Sequence, residues 1–173
     1  NEILNLVDVK LPPRVLMDEN KKYMVCIYRD AFKTIKELSE KEMRLAGLRI
    51  NPKTNIGSRT NYYKDIKIAN LRRKKTVLRR VRGLPTEPRL ANFIWSPDQT
   101  SIAFTNTTFH GVELWVLNVI GGVVKKLTDA NVNANLGDAI NWYQDGKSLL
   151  VKLVPGKREE ITDSENVIPI GPR

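Results

Sequence analysis

The sequence predicts an all-β chain whose strands come in four-stranded antiparallel groups, and two observations predict it. Residues 93–128, FIWSPDQTSIAFTNTTFHGVELWVLNVIGGVVKKLT, break into four short runs rich in β-branched and aromatic residues, each ended by turn residues. A second copy follows. WYQDGKSLLV, from Trp142, superposes on WSPDQTSIAF, from Trp95, setting Asp145 on Asp98, Gly146 on Gln99 and Leu149 on Ile102 at a spacing of 47 residues. Four strands per unit and a period of roughly 40 to 50 residues are the marks of a β-propeller. A lone sheet with two apolar faces cannot bury both, so such units need lateral neighbours. The fold class is therefore all-β, a partial β-propeller of four-stranded antiparallel blades with a short helical insertion in the first blade.

Taken in order, residues 1–8 hold Ile3, Leu4, Leu6 and Val7, apolar enough for a packed lead-in strand or short helix that Pro12 and Pro13 end. Blade one spans about 14–82. Its first two strands, 14–17 and 22–28, flank a turn at 18–21. There MDENKKYMVC is a fainter copy of the repeat, with Met17 in the tryptophan's place, Asn20 in the turn aspartate's and Met24 in that of Ile102. Its distance from Trp95 is too long for one blade, which implies an insertion at about 30–60. Thr34 and Glu37 spell a capping box, and Ile35, Leu38 and Leu45 share a helical face, so a helix is expected over 35–45. Gly47 would cap it, and RINPKTNIGSR would be an ordered loop. The blade then closes with a hairpin, out along 63–71 and back along 77–81.

Pro85 and Pro88 stiffen the crossing to blade two, at about 91–128. Its strands are 93–96, 101–106, 113–119 and 123–128, with Gly121 and Gly122 giving the last hairpin its positive φ angles. Trp95 is its anchor. The polar loop 129–138 has the alternate Asp129, Asn131, Asn133 spacing of a calcium loop, but Ala134 and Ile140 stand where its glycine and bidentate glutamate belong, so it reads as an asparagine-rich turn. Blade three starts at about 139–154, as strands 139–143 and 148–154, and the tail 155–173 is polar, charged and proline-rich. A closed propeller needs about four blades or more, so a longer parent protein is expected. Cys26 aligns with Phe104 and reads as small core filler.

The chain of 173 residues carries a net charge of +10, which raises nucleic-acid binding as a possibility. Its distribution argues otherwise. Arg72, Arg73, Lys74, Lys75, Arg79, Arg80 and Arg82 supply seven of those charges within one stretch that has neither an acidic nor an aromatic residue, so it reads as a solvated hairpin tip and no nucleic acid is expected. No apolar run approaches the ~18 residues of a membrane span. The chain starts without methionine or a basic-then-apolar leader, so any signal peptide is expected to have been removed or never present.

The repeat WSPD, an apolar strand, then LWVLNVIGG and KKLT resembles the propellers of Tol-system proteins and of prolyl oligopeptidase family serine peptidases. LAGLRINPKTNIGSRTNYYKDIKI is similar to the amino-terminal propeller region of the glutamyl endopeptidase branch, and NLVDVKLPPRVLMDENKKYMVCI, RGLPTEPRLANFIWSPD and LLVKLVP follow in the same order. The resemblance implies a non-catalytic propeller portion that gates access and helps recognise peptide substrates with acidic residues. Its implied partners are a carboxy-terminal α/β-hydrolase domain of the parent chain and peptide substrates, without a membrane, in an exported protein. The alternative is a non-enzymatic Tol-like propeller serving as a protein-interaction scaffold.

Chemistry within the chain is sparse. A serine nucleophile sits on a sharp turn between glycines and needs a histidine and an acid; Ser58 lies between Ile56 and Thr60, Ser148 between Gly146 and Leu150, and His110 is the single histidine. No catalytic residue, metal site or cofactor is expected. Arg44, Arg49 and Arg59 gather three planar guanidinium forks suited to a carboxylate and are the substrate-binding candidates; the competing reading is that they pair with backbone carbonyls or acidic neighbours and hold the loop in shape. Trp95, Asp98, Trp142 and Asp145 are assigned structural roles.

Overall fold

A computed structural model of the chain describes residues 10–45 and 47–157; the expected lead-in at 1–8 and the tail from 158 onward lie outside them. The elements begin with β1 (Arg14–Met17), β2 (Tyr23–Tyr28) and a single helical turn, α1 (Ile35–Leu38). Next come β3 (Met43–Leu45), β4 (Leu48–Asn51), β5 (Ile56–Gly57), β6 (Asp65–Asn70) and β7 (Arg79–Arg80). The remaining strands are β8 (Leu90–Trp95), β9 (Ser101–Thr107), β10 (Val112–Asn118), β11 (Val123–Lys126), β12 (Ile140–Trp142) and β13 (Leu149–Val151). The chain is thus nearly all β, and its named strand pairs are antiparallel.

Two four-stranded sheets carry the structure, ordered β1-β2-β6-β7 and β11-β10-β9-β8. β12 and β13 form a two-stranded sheet, and β3, β4 and β5 a small three-stranded one. The second four-stranded sheet uses both faces, because its side chains alternate. Ile102, Phe104, Leu117 and Val119 pack with Val25, Ile27, Ile66 and Ile68 of the first sheet. From the opposite face Ala103, Leu114 and Val116 meet Ile140, Trp142 and Leu149.

The sequence repeat is also a repeat of turn geometry. Lys21, Gln99 and Gly146, equivalent in the alignment, have φ of 51°, 57° and 65°. Each donates its N–H to the carbonyl three residues back, on Asp18, Ser96 and Tyr143, at 2.9, 2.9 and 3.1 Å. Those three residues in turn donate to Tyr23, Ser101 and Ser148. One assignment shifts. Asn20 does not take the turn aspartate's part; Asp18, aligned with Ser96, accepts from the N–H groups of Lys22 and Tyr23 and is buried.

Other expectations are corrected in the insertion, which joins β2 to β6 through residues 29–64. The capping box forms, with Thr34 accepting from the Glu37 N–H and Glu37 accepting from the Thr34 N–H. The helix nevertheless ends at Leu38 rather than Leu45. Ile35 is 86% and Leu38 69% exposed, so nothing packs on the apolar face, and a lone turn gains too little to propagate. Met43–Leu45 is strand β3, Gly47 (φ 84°) turns it into β4, and the expected loop contains β4 and β5. Elsewhere Gly122 has positive φ and Gly121 does not, and β7 is two residues long instead of spanning 77–81. β11 stops at Lys126, short of Thr128, and the strand expected over 148–154 is β13 alone. Cys26 is buried, and burial raises its thiol pKa, but it lies on the face of β2 opposite Val25 and Ile27.

Candidate functional site

The insertion does not hang free; it is fastened across the second sheet and the loop beyond it. Ile56 of β5 is 2% exposed and belongs to the cluster between the second and two-stranded sheets. The Ala134 N–H donates to the Asn55 carbonyl at 2.8 Å. Lys53 places its ammonium 3.0 Å from the Phe109 ring centroid in the β9–β10 turn, a cation–π contact. Arg89, just before β8, pairs with Glu40 at 2.8 Å, and Glu40 also accepts from Asn51 Nδ2 at 2.8 Å. Asn51 in turn accepts the N–H groups of Lys53 and Thr54, which sets the tight bend after β4.

Two of the three candidate arginines are brought together. Arg44 and Arg49 are direct partners across β3 and β4, and both reach Glu42, at 3.4 and 2.8 Å. Glu42 also accepts from Ser58 Oγ at 2.6 Å. The Ser58 hydroxyl first, then the two guanidiniums, hold its carboxyl below the usual carboxylate range. Arg59 is exposed and makes no ion pair with a described residue. Two guanidiniums against one carboxylate, with Arg59 nearby in sequence, leave positive charge over, and the Arg44 side chain is 69% exposed.

The four structural residues divide into two pairs. Asp98 accepts from Ser96 Oγ, at 2.5 Å, and from the N–H and hydroxyl of Thr100; these bonds, led by Ser96, lower its pKa. Asp145 accepts from the Ser148 hydroxyl and N–H and the Lys147 N–H, with the same result. Each aspartate closes its turn. Trp95 packs on the cluster between the four-stranded sheets, and Trp142 on the next cluster, where its Nε1–H donates to the Ile94 carbonyl at 3.2 Å. Each indole therefore leans on the preceding sheet.

His110 lies exposed in the β9–β10 turn, its ring edge-on to Phe109 at 5.6 Å and its backbone N–H donated to Thr108 Oγ1. Among the described residues its ring hydrogen-bonds no serine and no carboxylate.

Two polar groupings escaped the sequence. Arg89 stacks its guanidinium 4.4 Å from the Tyr62 ring centroid, and although burial opposes its charge, Glu40 and Tyr62 raise its pKa. Burial pushes the Tyr62 phenol up as well. Glu113 is 8% exposed and accepts from Trp115 Nε1, Asn106 Nδ2 and Lys126 Nζ at 2.9, 3.1 and 3.0 Å. Burial alone would raise its pKa, but the three donors and the Lys126 charge outweigh it, and the carboxyl stays below its ordinary range. A signal for Glu113 existed in VELWVLN, where a glutamate interrupts an otherwise apolar strand. For Arg89 the only hint was an arginine directly following Pro88 at a strand entrance.

No family model matches the chain. It is 27% identical over 182 residues to a probable chloroplastic glutamyl endopeptidase of Arabidopsis thaliana, covering 99% of this chain and 19% of that protein. A protein of the same description from Oryza sativa subsp. japonica is 27% identical over 183 residues, with the same coverage. An uncharacterised peptidase, YuxL, of Bacillus subtilis (strain 168) is 35% identical over 83 residues, 46% of this chain and 11% of its own length. The chain thus spans about a fifth of the length of the first two relatives, and it is similar from end to end to a part of peptidases.

Proposed function

We propose that this chain is the non-catalytic β-propeller portion of a serine peptidase resembling glutamyl endopeptidase, with blades at about 14–82, 91–128 and 139–154. The observation that carries the reading is the end-to-end similarity to the two plant glutamyl endopeptidases. The recurrent turn at Lys21, Gln99 and Gly146 and the use of both faces of the second sheet support it, since laterally stacked sheets are how a propeller buries its apolar surface. The chemistry belongs to a carboxy-terminal α/β-hydrolase domain of the parent, which acts on peptides. The insertion is fastened over the sheet ends by Ile56, Lys53 and the Arg89–Glu40 pair, which supports a role in limiting what enters. Arg44, Arg49 and Arg59 offer a glutamate or aspartate side chain a cationic contact, with Glu42 holding Arg49 in position.

The test joins this chain to the hydrolase portion of its parent and compares the joined and separate pieces on a short chromogenic glutamyl peptide. Hydrolysis is expected only from the joined protein; cleavage by this chain alone would defeat the assignment. In the joined protein Arg44→Gln with Arg59→Gln is expected to raise KM for the glutamyl peptide roughly fivefold or more, with little change on a neutral peptide. Equal effects on the two peptides would remove the arginines from recognition while leaving the propeller reading in place.

A further inference from the structure

The basic stretch lies on a connection longer than its strands need. β6 ends at Asn70 and β7 begins at Arg79, so residues 71–78 join two strands that pair directly, a task for which about two to five residues suffice. The entrance is held. The Leu71 N–H donates to the Lys22 carbonyl at 2.8 Å and the Arg72 N–H to Asn70 Oδ1 at 3.0 Å. Beyond that point the holding stops: residues 73–77 are exposed and make no hydrogen bond or ion pair with a described residue. Order returns with β7, after which the Val81 N–H donates to the Ile66 carbonyl and Arg82 makes two backbone bonds, to Gly122 and Val124.

Charge sets the segment apart chemically. Arg72, Arg73, Lys74 and Lys75 are contiguous, and no acidic residue occurs from 66 to 86. Adjacent like charges repel one another, and scattered ones serve solubility as well. An exposed stretch without bonds can be drawn into the extended form that an endoprotease cleft grips, without first opening a sheet. A basic side chain is what a carboxylate at the base of such a cleft selects. Cations in strands and tight turns lack that freedom: Lys126 lies in β11 and is bound to Glu113, and the Lys147 N–H is fixed on Asp145.

What joins the two sides of the segment does not run through it. The side ending at Lys75 holds β1, β2, β6 and the insertion, and the side from Thr76 holds β7 to β13. Val25, Ile27, Ile66 and Ile68 of the first pack with Ile102, Phe104, Leu117 and Val119 of the second. Tyr63 and Leu90 exchange both backbone hydrogen bonds at 2.9 Å, Glu40 pairs with Arg89, and Ile56 sits in the cluster beyond the second sheet.

We propose that residues 73–76 are a processing site for an endoprotease selective for paired basic residues, and that the cut chain persists as two pieces in one fold. At the Lys75–Thr76 bond, water supplies the atoms. Its oxygen joins the Lys75 carbonyl carbon, the carbon–nitrogen bond breaks, and a proton goes to the Thr76 nitrogen, leaving a carboxylate and an ammonium. The site does not depend on the peptidase reading; a glutamate-selective parent would find no glutamate there to cut.

The experiment treats the whole chain with a trace of trypsin, and separately with a subtilisin-type protease selective for paired basic residues, and maps the products by mass spectrometry. Among the described residues the first cut is expected after Arg73, Lys74 or Lys75 with both enzymes. The two pieces are expected to elute together in native gel filtration and to part only in urea. Combining Arg72→Gln, Arg73→Gln, Lys74→Gln and Lys75→Gln is expected to slow that cut roughly tenfold or more, whereas Arg79→Gln with Arg80→Gln, on the paired strand, changes it by less than about twofold. The parent protein recovered from its own cells should carry a new amino terminus at Lys74, Lys75 or Thr76. A first cut elsewhere among the described residues, pieces that separate without denaturant, equal slowing by the two variants, or an intact segment in the cellular protein would each overturn the proposal.

Discussion

The interface between the two four-stranded sheets buries Val25, Ile27, Ile66 and Ile68 against Ile102, Phe104, Leu117 and Val119, and none of these is more than 1% exposed. Across the other face of the second sheet, β12 and β13 contribute one buried large side chain, Ile140, while Trp142, Leu149 and Val151 are partly open. What completes that second interface is Ile56, reaching in from the insertion far back in the chain, together with Val132 of the loop before β12. The difference teaches that a sheet face is sealed by the number of strands opposing it. Four strands against four need no help; four against two borrow an isoleucine from the insertion and a valine from the loop before β12.

The largest expected effect separates the two. Phe104→Ala should cost about 3–5 kcal/mol, because the hole opens where both walls are rigid sheets, and the urea midpoint of the whole chain should fall. Ile140→Ala should cost less, about 2–3 kcal/mol, as the two-stranded sheet can settle. Hydrogen exchange is expected to quicken first in the β12–β13 amides and only later in β9. Uniform quickening would mean that the interfaces are equal partners after all.

Ile56→Ala comes next, at about 2–4 kcal/mol, and it should act on two regions together. Removing this side chain opens the second interface and also unseats the insertion, so proteolysis within residues 29–64 should accelerate alongside exchange in β12. Loss of one without the other would separate the fastening of the insertion from the filling of the core.

Acid sharpens the comparison through Glu113. Its carboxyl is held below the ordinary range in the fold, so its share of stability is present above the unfolded value near ~4.3 and drains away as pH falls through the lower folded value. Glu113→Gln should flatten that acid limb while costing about 1–3 kcal/mol near neutral pH, since Lys126 loses its charge partner and donors from Asn106 and Trp115 lose acceptor strength. A chain whose stability below pH 4 falls as steeply as before would assign the acid limb to other carboxylates, such as Asp98.

What was legible in the sequence follows from range. The turn at residues 96–101 depends on an aspartate, a small hydroxyl and a residue that tolerates positive φ, all within a few positions, and it could be found twice by alignment. Its first copy departs from the alignment by two places because Asp18, a stronger acceptor than the serine it replaces, does the work from a different position. The insertion departs further from its local pattern. Ile35, Leu38 and Leu45 keep helical spacing, yet a helix forms only where something packs on its stripe, and the fold offers that surface to Ile56 instead. Among the site residues, Glu42 between Arg44 and Arg49 was visible as a neighbour. The pairing of Arg89 with Glu40 was not, because it joins segments that only the folded chain brings together.

The smallest expected effect rests on the two aligned tryptophans. Their indoles occupy equivalent places against the preceding sheet, but Trp142 donates its Nε1–H to the Ile94 carbonyl whereas the buried Nε1–H of Trp95 has no acceptor among the described residues. An unpaired buried donor opposes folding, and a net hydrogen bond favours it by about 1 kcal/mol. Trp142→Phe should therefore lose about 1 kcal/mol beyond the change in packing, while Trp95→Phe, relieved of the orphan donor, should lose less than the same change in area would suggest. The two melting temperatures, compared directly, decide it. If Trp95→Phe melts lower than Trp142→Phe by several degrees, then the better-sealed interface depends on the indole's volume more than the donor matters, and the contrast between the two interfaces lies in packing alone.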